Sequence, residues 1–568
     1  MRRCRHPNGD TSSTTLLLWA TPPWLWTGLG AWWLVRALTN IRVGVTRSLG
    51  TILESSTAFQ RRLGFLERWY VAHSRAGVHT GFLLALELEA SHKAATTALS
   101  STSPMISMED MWQTLHRVSQ RFAWLRVKVK RDGVQGIDSR TSLGNSEDGK
   151  GVWGDDLYLD AVDANNPTID SVFELRQVQI DEHNGSDFQQ SLQHILEEES
   201  VKEWHDEDPN QCLWRAILVT GPSHKQLTLI LAFHHLICDG LGAVAVSRAI
   251  LAELNNDQTP VSDAHDNLTS NRLAPPMEDL MDTVPTLGHL ILPLLYDRFP
   301  RLESFLQPSH WQGLTTHDEK SLRHTTMACL TITLDPSVLS TLRRNKITVN
   351  SFLVATLCQA IARVVGQRAD NLAGVTQSPA AKLSSLRFQI QVAKSERAHC
   401  GLAAESLGVY LSGPRVTLCT TGESDCQTLA ARFQQRLRAV SSARDIGLCA
   451  FINGDWMDFA RRLAQRRPHG IGDSIEFSSL GRVSLDGSDV DDDNTPTLSL
   501  CPWSVRRLWF AQGRRQAAAA IEATTVTRGS EICAVLSAFP QAVPRATLRQ
   551  IADAWKQIIE EKGVLYVI

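Results

Sequence analysis

The sequence predicts a mixed α/β fold of the α+β kind, built as two lobes of related texture. Three observations predict it. From about Gly50 onward, short apolar runs with strand alternation are interleaved with stretches of helical periodicity. No segment repeats at the periods that mark solenoids or propellers. The grammar of strands and helices also stops at a proline-rich stretch, residues 256–325, and restarts after it. A length of 568 residues suits several structural units better than one core, and 43% hydrophobic with 21% charged side chains is an ordinary globular composition. The 57 basic and 60 acidic residues leave a net charge of -3, which provides no basic footprint for nucleic acid.

In chain order, residues 1–50 stand apart. No charged side chain occurs from residue 11 to residue 35, a run of 25 positions that holds Trp19, Trp24, Trp26, Trp32 and Trp33. The run is long enough to cross a bilayer. Pro22 and Pro23 interrupt it, however, and arginines flank it on both sides (Arg2, Arg3 and Arg5; Arg36, Arg42 and Arg47), so orientation stays undecided. The uninterrupted apolar region and small-residue cleavage site of a secretory signal are not evident. An anchor or interfacial segment, a buried N-terminal element and a leader unrelated to the fold all fit; membrane contact through residues 11–35 is the expectation.

Residues 51–255 form the predicted N-terminal lobe. Met108 to Phe122 has apolar positions at helical spacing, and Ala123 to Val129 alternates as a strand. Phe173 to Ile180 alternates again. Cys212 to Val219 and Leu227 to Phe233 are apolar runs separated by Gly221-Pro-Ser-His-Lys225, the pattern of a hairpin whose second strand is buried. Leu241 to Leu254, free of proline and rich in Ala, Val, Ile and Leu, reads as a helix packed on that sheet. Residues 256–325 are a crossover. Residues 326–568 restart with a strand (Thr326 to Leu334), a helix (Pro336 to Arg344), a longer helix over Ser351 to Val365 capped by Asn350, and a strand (Leu386 to Val392). The acidic run Asp486 to Asn494 lacks the glycine and terminal glutamate of a calcium loop and reads as a solvated turn. The 11 cysteines are scattered without a CxxC pair, neither a zinc site nor a disulfide framework, which points to a reducing, cytosolic compartment.

Chemistry concentrates where the buried strand meets the helix, at His234-His-Leu-Ile-Cys-Asp-Gly240, of the form HHxxxDG. Adjacent strand residues face opposite ways, so His234 and His235 cannot easily share a metal ion, and no HExxH or carboxylate cluster adds ligands. No metal is expected. Two core histidines beside an N-capping Asp239 would be the bland account; the ordered Asp-Gly that follows them favours catalysis. A histidine at the exit of a rigid strand is held in one orientation, its imidazole ready to take a proton. Asp239 can fix the turn through a partner arginine, and Gly240 omits a side chain where a thin substrate would pass close to the backbone.

This motif resembles that of the chloramphenicol-acetyltransferase-like superfamily, which includes peptide-synthetase condensation domains and coenzyme-A-dependent acyltransferases. Other segments resemble, in order, blocks of fungal-type alcohol O-acetyltransferases. They are Arg62-Leu-Gly-Phe-Leu-Glu67, Phe122 to Val127, Cys212-Leu-Trp-Arg215 (with Cys212 for proline), Trp311-Gln-Gly313, and Ser478-Ser-Leu-Gly481 (with Ser479 for asparagine). The similarity spans most of residues 55 to 560. It implies two lobes with a tunnel between them, coenzyme A entering one mouth and an alcohol the other. It implies His235 as the base and a structural Asp239 paired to an arginine of the second lobe, with Arg397 the candidate and Arg387 and Lys394 its rivals. Ser478 is the candidate contact to the oxyanion or coenzyme. Gly242 stands where many relatives have serine, and the plant-type DFGWG block is absent. The resemblance further implies acyl-CoA, acetyl-CoA by preference, as co-substrate with no permanently bound cofactor. The acceptor is expected to be a secondary-metabolite or other lipophilic alcohol. The protein is expected to be a monomer, cytoplasmic and membrane-associated at the endoplasmic reticulum or lipid-droplet surface. A carrier-protein-dependent condensation enzyme and a catalytically silent binding protein of the same fold are the alternatives.

Gly470-Ile-Gly-Asp-Ser-Ile475 resembles both a carrier-protein serine motif and the nucleophile block of GDSL hydrolases. Neither context is present. Glu476 to Val483 reads as a strand rather than a carrier helix, and no histidine follows His469, so a glycine turn entering a strand is expected.

Overall fold

The computed structural model describes residues 60–90, 106–131, 157–162, 173–180, 188–206, 208, 211–221, 227–255, 273–285, 309–314, 324–372, 386–420, 425–440, 472–485, 503–513, 515 and 519–564, with a few isolated positions. Residues 11–35, expected to touch a membrane, and the acidic run 486–494 lie outside the described residues.

The first half runs β1 (Gln60–Arg62), α1 (Phe65–Arg75), β2 (Phe82–Ala90), α2 (Met108–Arg121), β3 (Val127–Arg131), β4 (Leu157–Ala161), β5 (Glu174–Gln179), α3 (Phe188–Ser200), β6 (Trp214–Thr220), β7 (Leu227–Phe233) and α4 (Gly240–Leu254). The predicted hairpin is present: β6 and β7 pair antiparallel from Trp214 opposite Phe233 to Thr220 opposite Leu227, and every residue of both strands is buried. Continuous burial explains why these strands are apolar on both faces rather than alternating. A short helix α5 (Met277–Leu280) belongs to the crossover.

The second half runs β8 (Thr326–Thr333), α6 (Pro336–Arg344), α7 (Val349–Leu372), β9 (Arg387–Val392), β10 (Lys394–Ser395), β11 (Leu411–Ser412), β12 (Arg415–Cys419), α8 (Cys426–Ala439), β13 (Asp473–Arg482), β14 (Trp503–Gln512), β15 (Ala519–Arg528), β16 (Glu531–Ala538) and α9 (Arg545–Val564). One sheet has the order β12-β9-β13-β15-β16-β8, the other β14-β2-β7-β6-β5. Residues 349–368 of α7 are apolar and long enough to span a bilayer, but they are mostly buried, and Phe352, Leu353, Leu357, Cys358 and Ile361 belong to the second core.

Three sequence expectations are corrected. Ala123–Arg126 is a 3-10 turn, and the strand begins only at Val127. The fully buried Arg126 causes this: its guanidinium donates to the carbonyls of Ser119 and Gln120 (2.6 Å each) and of Val162, so it closes the carbonyl end of α2 before extension can begin. The cap of α7 is Thr348, whose hydroxyl oxygen accepts from the Ser351 N–H at 3.2 Å; Asn350 is already helical. Residues 326–568 do not all belong to the second lobe. β14 pairs antiparallel with β2 along its length, and Leu508, Trp509 and Phe510 lie in the core of the first sheet. Alternation in residues 503–512 marks a strand but carries no information on which sheet edge it will join.

The alternation of β13, β15 and β16 divides the second sheet into two faces. Ile475, Phe477, Ile521, Ala523, Ala534 and Leu536 join the core under α7 and α9. The residues between them point the other way, where Leu480, Val526, Cys533, Val535 and Met327 merge with the core of the first sheet. The seam between the lobes is therefore apolar at the Val526 end of this face. At its other end the register places Glu476 beside Glu522, Ser478 beside Thr524, and Ser537 beside Glu522.

Candidate active site

β7 ends at Phe233, and His234–Cys238 turn the chain into α4. The two histidines diverge. The Nδ1 of His234 accepts from the Leu236 N–H at 3.0 Å, which leaves its proton on Nε2, and its ring meets Trp204 edge-on at 6.0 Å. Burial lowers its pKa to about 4. His234 thus shapes the turn from within the first lobe. His235 lies on the other side, stacked on Tyr70 at 4.2 Å with an interplanar angle of 12°, edge-on to Phe82 at 5.0 Å, and 5.6 Å from the ring of His79. It is 6% exposed, and its Nδ1 is enclosed without a hydrogen-bond partner among the described residues. Burial first, and then the charge of Arg515, lower the His235 pKa to about 3. The ring is therefore neutral at pH 7, with a lone pair available to a substrate proton.

Asp239 is the N-cap of α4: its Oδ1 accepts from the N–H groups of Leu241 and Gly242, both at 3.2 Å. Among Arg387, Lys394 and Arg397, the one that meets it is Arg397. Its Nη1 donates to Asp239 Oδ2 at 2.6 Å and its Nη2 to Oδ1 at 2.8 Å, a buried bidentate pair. Lys394 faces Glu396 instead, and Arg387 lies in β9, its carbonyl accepting from the Trp311 N–H. Arg397 also donates to the carbonyl of Ser406, and Asp239 Oδ2 accepts from the Tyr410 N–H at 3.3 Å. Burial would push the Asp239 carboxyl up, but the Arg397 guanidinium outweighs it and holds the group below the usual carboxylate range. Gly240 follows from close approach: a Cβ there would come 2.4 Å from Cδ2 of Leu480 on β13. At Gly242 a Cβ would lie 2.9 Å from that of Cys238, so a serine at this position needs a shift of the turn.

Ser478, two residues before Leu480 on β13, pairs with Thr524 through its backbone, and its hydroxyl makes no hydrogen bond to His235 among the described residues. Ser474 is structural. Its hydroxyl donates to the Trp311 carbonyl and accepts from the Gln389 N–H at 3.0 Å, tying β13 to β9 and to the crossover. That agrees with the strand reading of this segment and leaves it no nucleophilic role.

A second polar group at the seam was not singled out in the sequence. Arg515 bridges to His79 and forms an ion pair with Glu476, with Glu522 next to Glu476 in register. The Nδ1 of His79 accepts from the Gly81 N–H at 2.9 Å, and its buried Nε2 has no partner among the described residues. Burial, reinforced by Glu476 and only opposed by Arg515, raises the Glu522 carboxyl well above the usual range. A signal did exist in the chain: a lone glutamate between apolar neighbours in Ile475-Glu-Phe477 and again in Ile521-Glu-Ala523, inside strands that are otherwise buried.

Comparison with solved structures follows the same architecture. The trichothecene 15-O-acetyltransferase TRI3 of Fusarium sporotrichioides superposes with a TM-score of 0.55 at 10% identity, covering 88% of this chain and 94% of that one. The two share a fold. The epimerization domain of tyrocidine synthetase B (TM-score 0.47, 12% identity, 89% and 97% covered) and the condensation domain of the monacolin K polyketide synthase MokA (0.47, 11%, 89% and 98%) are also similar. No family model and no curated protein matches the sequence. The two-lobed α/β fold is therefore that of the acetyltransferase structure, as the HHxxxDG segment led one to expect.

Proposed function

We propose that this chain is an acyltransferase that moves an acyl group, acetyl by preference, from acyl-CoA to the hydroxyl of a lipophilic alcohol. The observation that carries this reading is His235: a neutral imidazole at the inter-lobe seam, packed between Tyr70 and Phe82, on a turn clamped by the Asp239–Arg397 pair. His235 removes the hydroxyl proton as the alcohol oxygen attacks the thioester carbonyl. The tetrahedral oxyanion then collapses, the carbon–sulfur bond breaks, and the proton passes from His235 to the departing thiolate, leaving an ester and free thiol. Thiolate is a good leaving group, so positioning and oxyanion stabilisation carry much of the rate, with Ser478 on β13 the candidate contact to the oxyanion or coenzyme.

The test is release of free thiol by the purified protein from acetyl-CoA with a panel of alcohols. H235A is expected to lower kcat/KM about 100-fold to 10,000-fold. Full activity in H235A overturns the base assignment. Turnover with a carrier-protein thioester but none with free acyl-CoA replaces this reading by the condensation one.

A further inference from the structure

We propose that Glu522 selects acceptors carrying a second hydroxyl group, accepting the hydrogen bond of that hydroxyl while the first is acylated at His235. The inference rests on the acyltransfer reading above and deepens it. Glu522 is 6% exposed and its side chain makes no hydrogen bond among the described residues; it feels the charge of Arg515, which its register neighbour Glu476 already engages. A carboxyl beside a guanidinium that another carboxylate already engages keeps acceptor capacity for a ligand. Ser537, opposite Glu522 on β16 and 2% exposed, also has a hydroxyl without a partner, and so does the Nε2 of His79 beside His235.

These atoms sit on one side of the seam. Glu522 and Ser537 share the face of the second sheet that looks toward the first lobe. Arg515 links that face back to His79, with which it forms a β-bridge. Because Nδ1 of His79 accepts from Gly81, its neutral ring presents Nε2–H as a donor. The group thus offers the unpartnered His79 Nε2–H, the unpartnered Ser537 hydroxyl and the Glu522 carboxyl, which an oxygenated skeleton can engage and a simple alkanol cannot. A cationic acceptor fits less well, because Arg515 stands in the same group.

The experiment compares wild type, E522Q and E522A on a homologous series of straight-chain alkanols and the corresponding terminal diols with acetyl-CoA, alongside thermal denaturation of each protein. Wild type is expected to prefer the best diol over the best alkanol. E522A is expected to lower kcat/KM for the diol at least tenfold more than for the alkanol, with E522Q intermediate. E522Q is expected to melt close to wild type, because the amide keeps the size of a carboxyl whose charged form burial already disfavours. Turnover without diol preference, an equal loss on both acceptors, or a marked fall in Tm for E522Q overturns the inference and leaves the acyltransfer reading standing. No turnover with any alcohol overturns both.

Discussion

The Asp239–Arg397 pair and the Arg515–Glu476–Glu522 group, both at the inter-lobe seam, are built differently. In the Asp239–Arg397 pair each carboxylate oxygen accepts from the guanidinium and from backbone N–H groups, and Arg397 donates further to the Ser406 carbonyl. Nothing is left over. In the Arg515–Glu476–Glu522 group one guanidinium faces two carboxyls, and the Glu522 side chain makes no hydrogen bond among the described residues. The first is a closed clamp that holds the His235 turn to the second lobe. The second is an open group whose polarity is unspent in the fold. Burial alone therefore does not separate a structural ion pair from a binding group; the completeness of hydrogen bonding does.

The comparison breaks hardest at the clamp. Asp239→Ala or Arg397→Ala leaves one buried charge uncompensated and is expected to destabilise by about 3 to 5 kcal/mol, measured by urea denaturation. The double variant should recover part of that loss, since no unpaired charge then remains. Two additive single effects without recovery would mean that the pair is not a unit.

Acid tests the open side next. His73, His79, His234 and His235 are all depressed by burial first, with Arg515 adding to the effect on His73, His79 and His235. The unfolded chain takes up protons below about pH 6.5, whereas in the folded chain His73, His234 and His235 stay neutral down to about pH 3 to 4 and His79 is held well below its usual value, so stability falls as pH drops below about 6.5. Each histidine contributes up to about 1.4 kcal/mol per pH unit. Asp239, whose folded pKa lies below its usual value, contributes stability that is lost only at still lower pH. Denaturation midpoints at pH 7.5 and 5.5 check this, and H79Q is expected to flatten the dependence. A midpoint constant between those two values would contradict the burial of these rings.

The smallest effect is expected at the contact between Leu480 and α4. Gly240→Ala puts a methyl group against Leu480 Cδ2 and Phe510, at a cost of about 1 kcal/mol by thermal or chemical denaturation, because a leucine methyl can move aside where backbone could not. Leu480→Ala in the same background should restore most of it.

Much of the fold was legible because local rules agreed with the global ones. The β6–β7 hairpin was visible as continuous apolar runs around a glycine-proline turn, and Pro336–Arg344 as a helix, which the structure shows capped by Asp335. The sequence was misread where a distant side chain intervenes. The 3-10 turn at Ala123–Arg126 exists because Arg126 reaches back to α2, and no alternation pattern encodes that reach. At the candidate site, His234, His235, Asp239 and Gly240 stood out because a strand, a turn and a helix start lie within one short segment. Arg397 was one of three basic residues near the end of β9, and only the geometry of the pair chose among them. His79, Glu476, Arg515 and Glu522 were not singled out, since they come from separate strands and loops that have no proximity in sequence.

By itself, then, the amino-acid sequence determined the strand–turn–helix that carries HHxxxDG, the α/β class and the existence of two lobes. Periodicity, proline placement and capping act over a few residues, and those signals are local. The tertiary structure decided that β14 joins the first sheet, that Arg397 clamps Asp239, and that Glu522 stays open at the seam. Each of these depends on which distant segments share a face, a choice made by burying apolar surface and pairing charge across the whole chain rather than by any residue's neighbours.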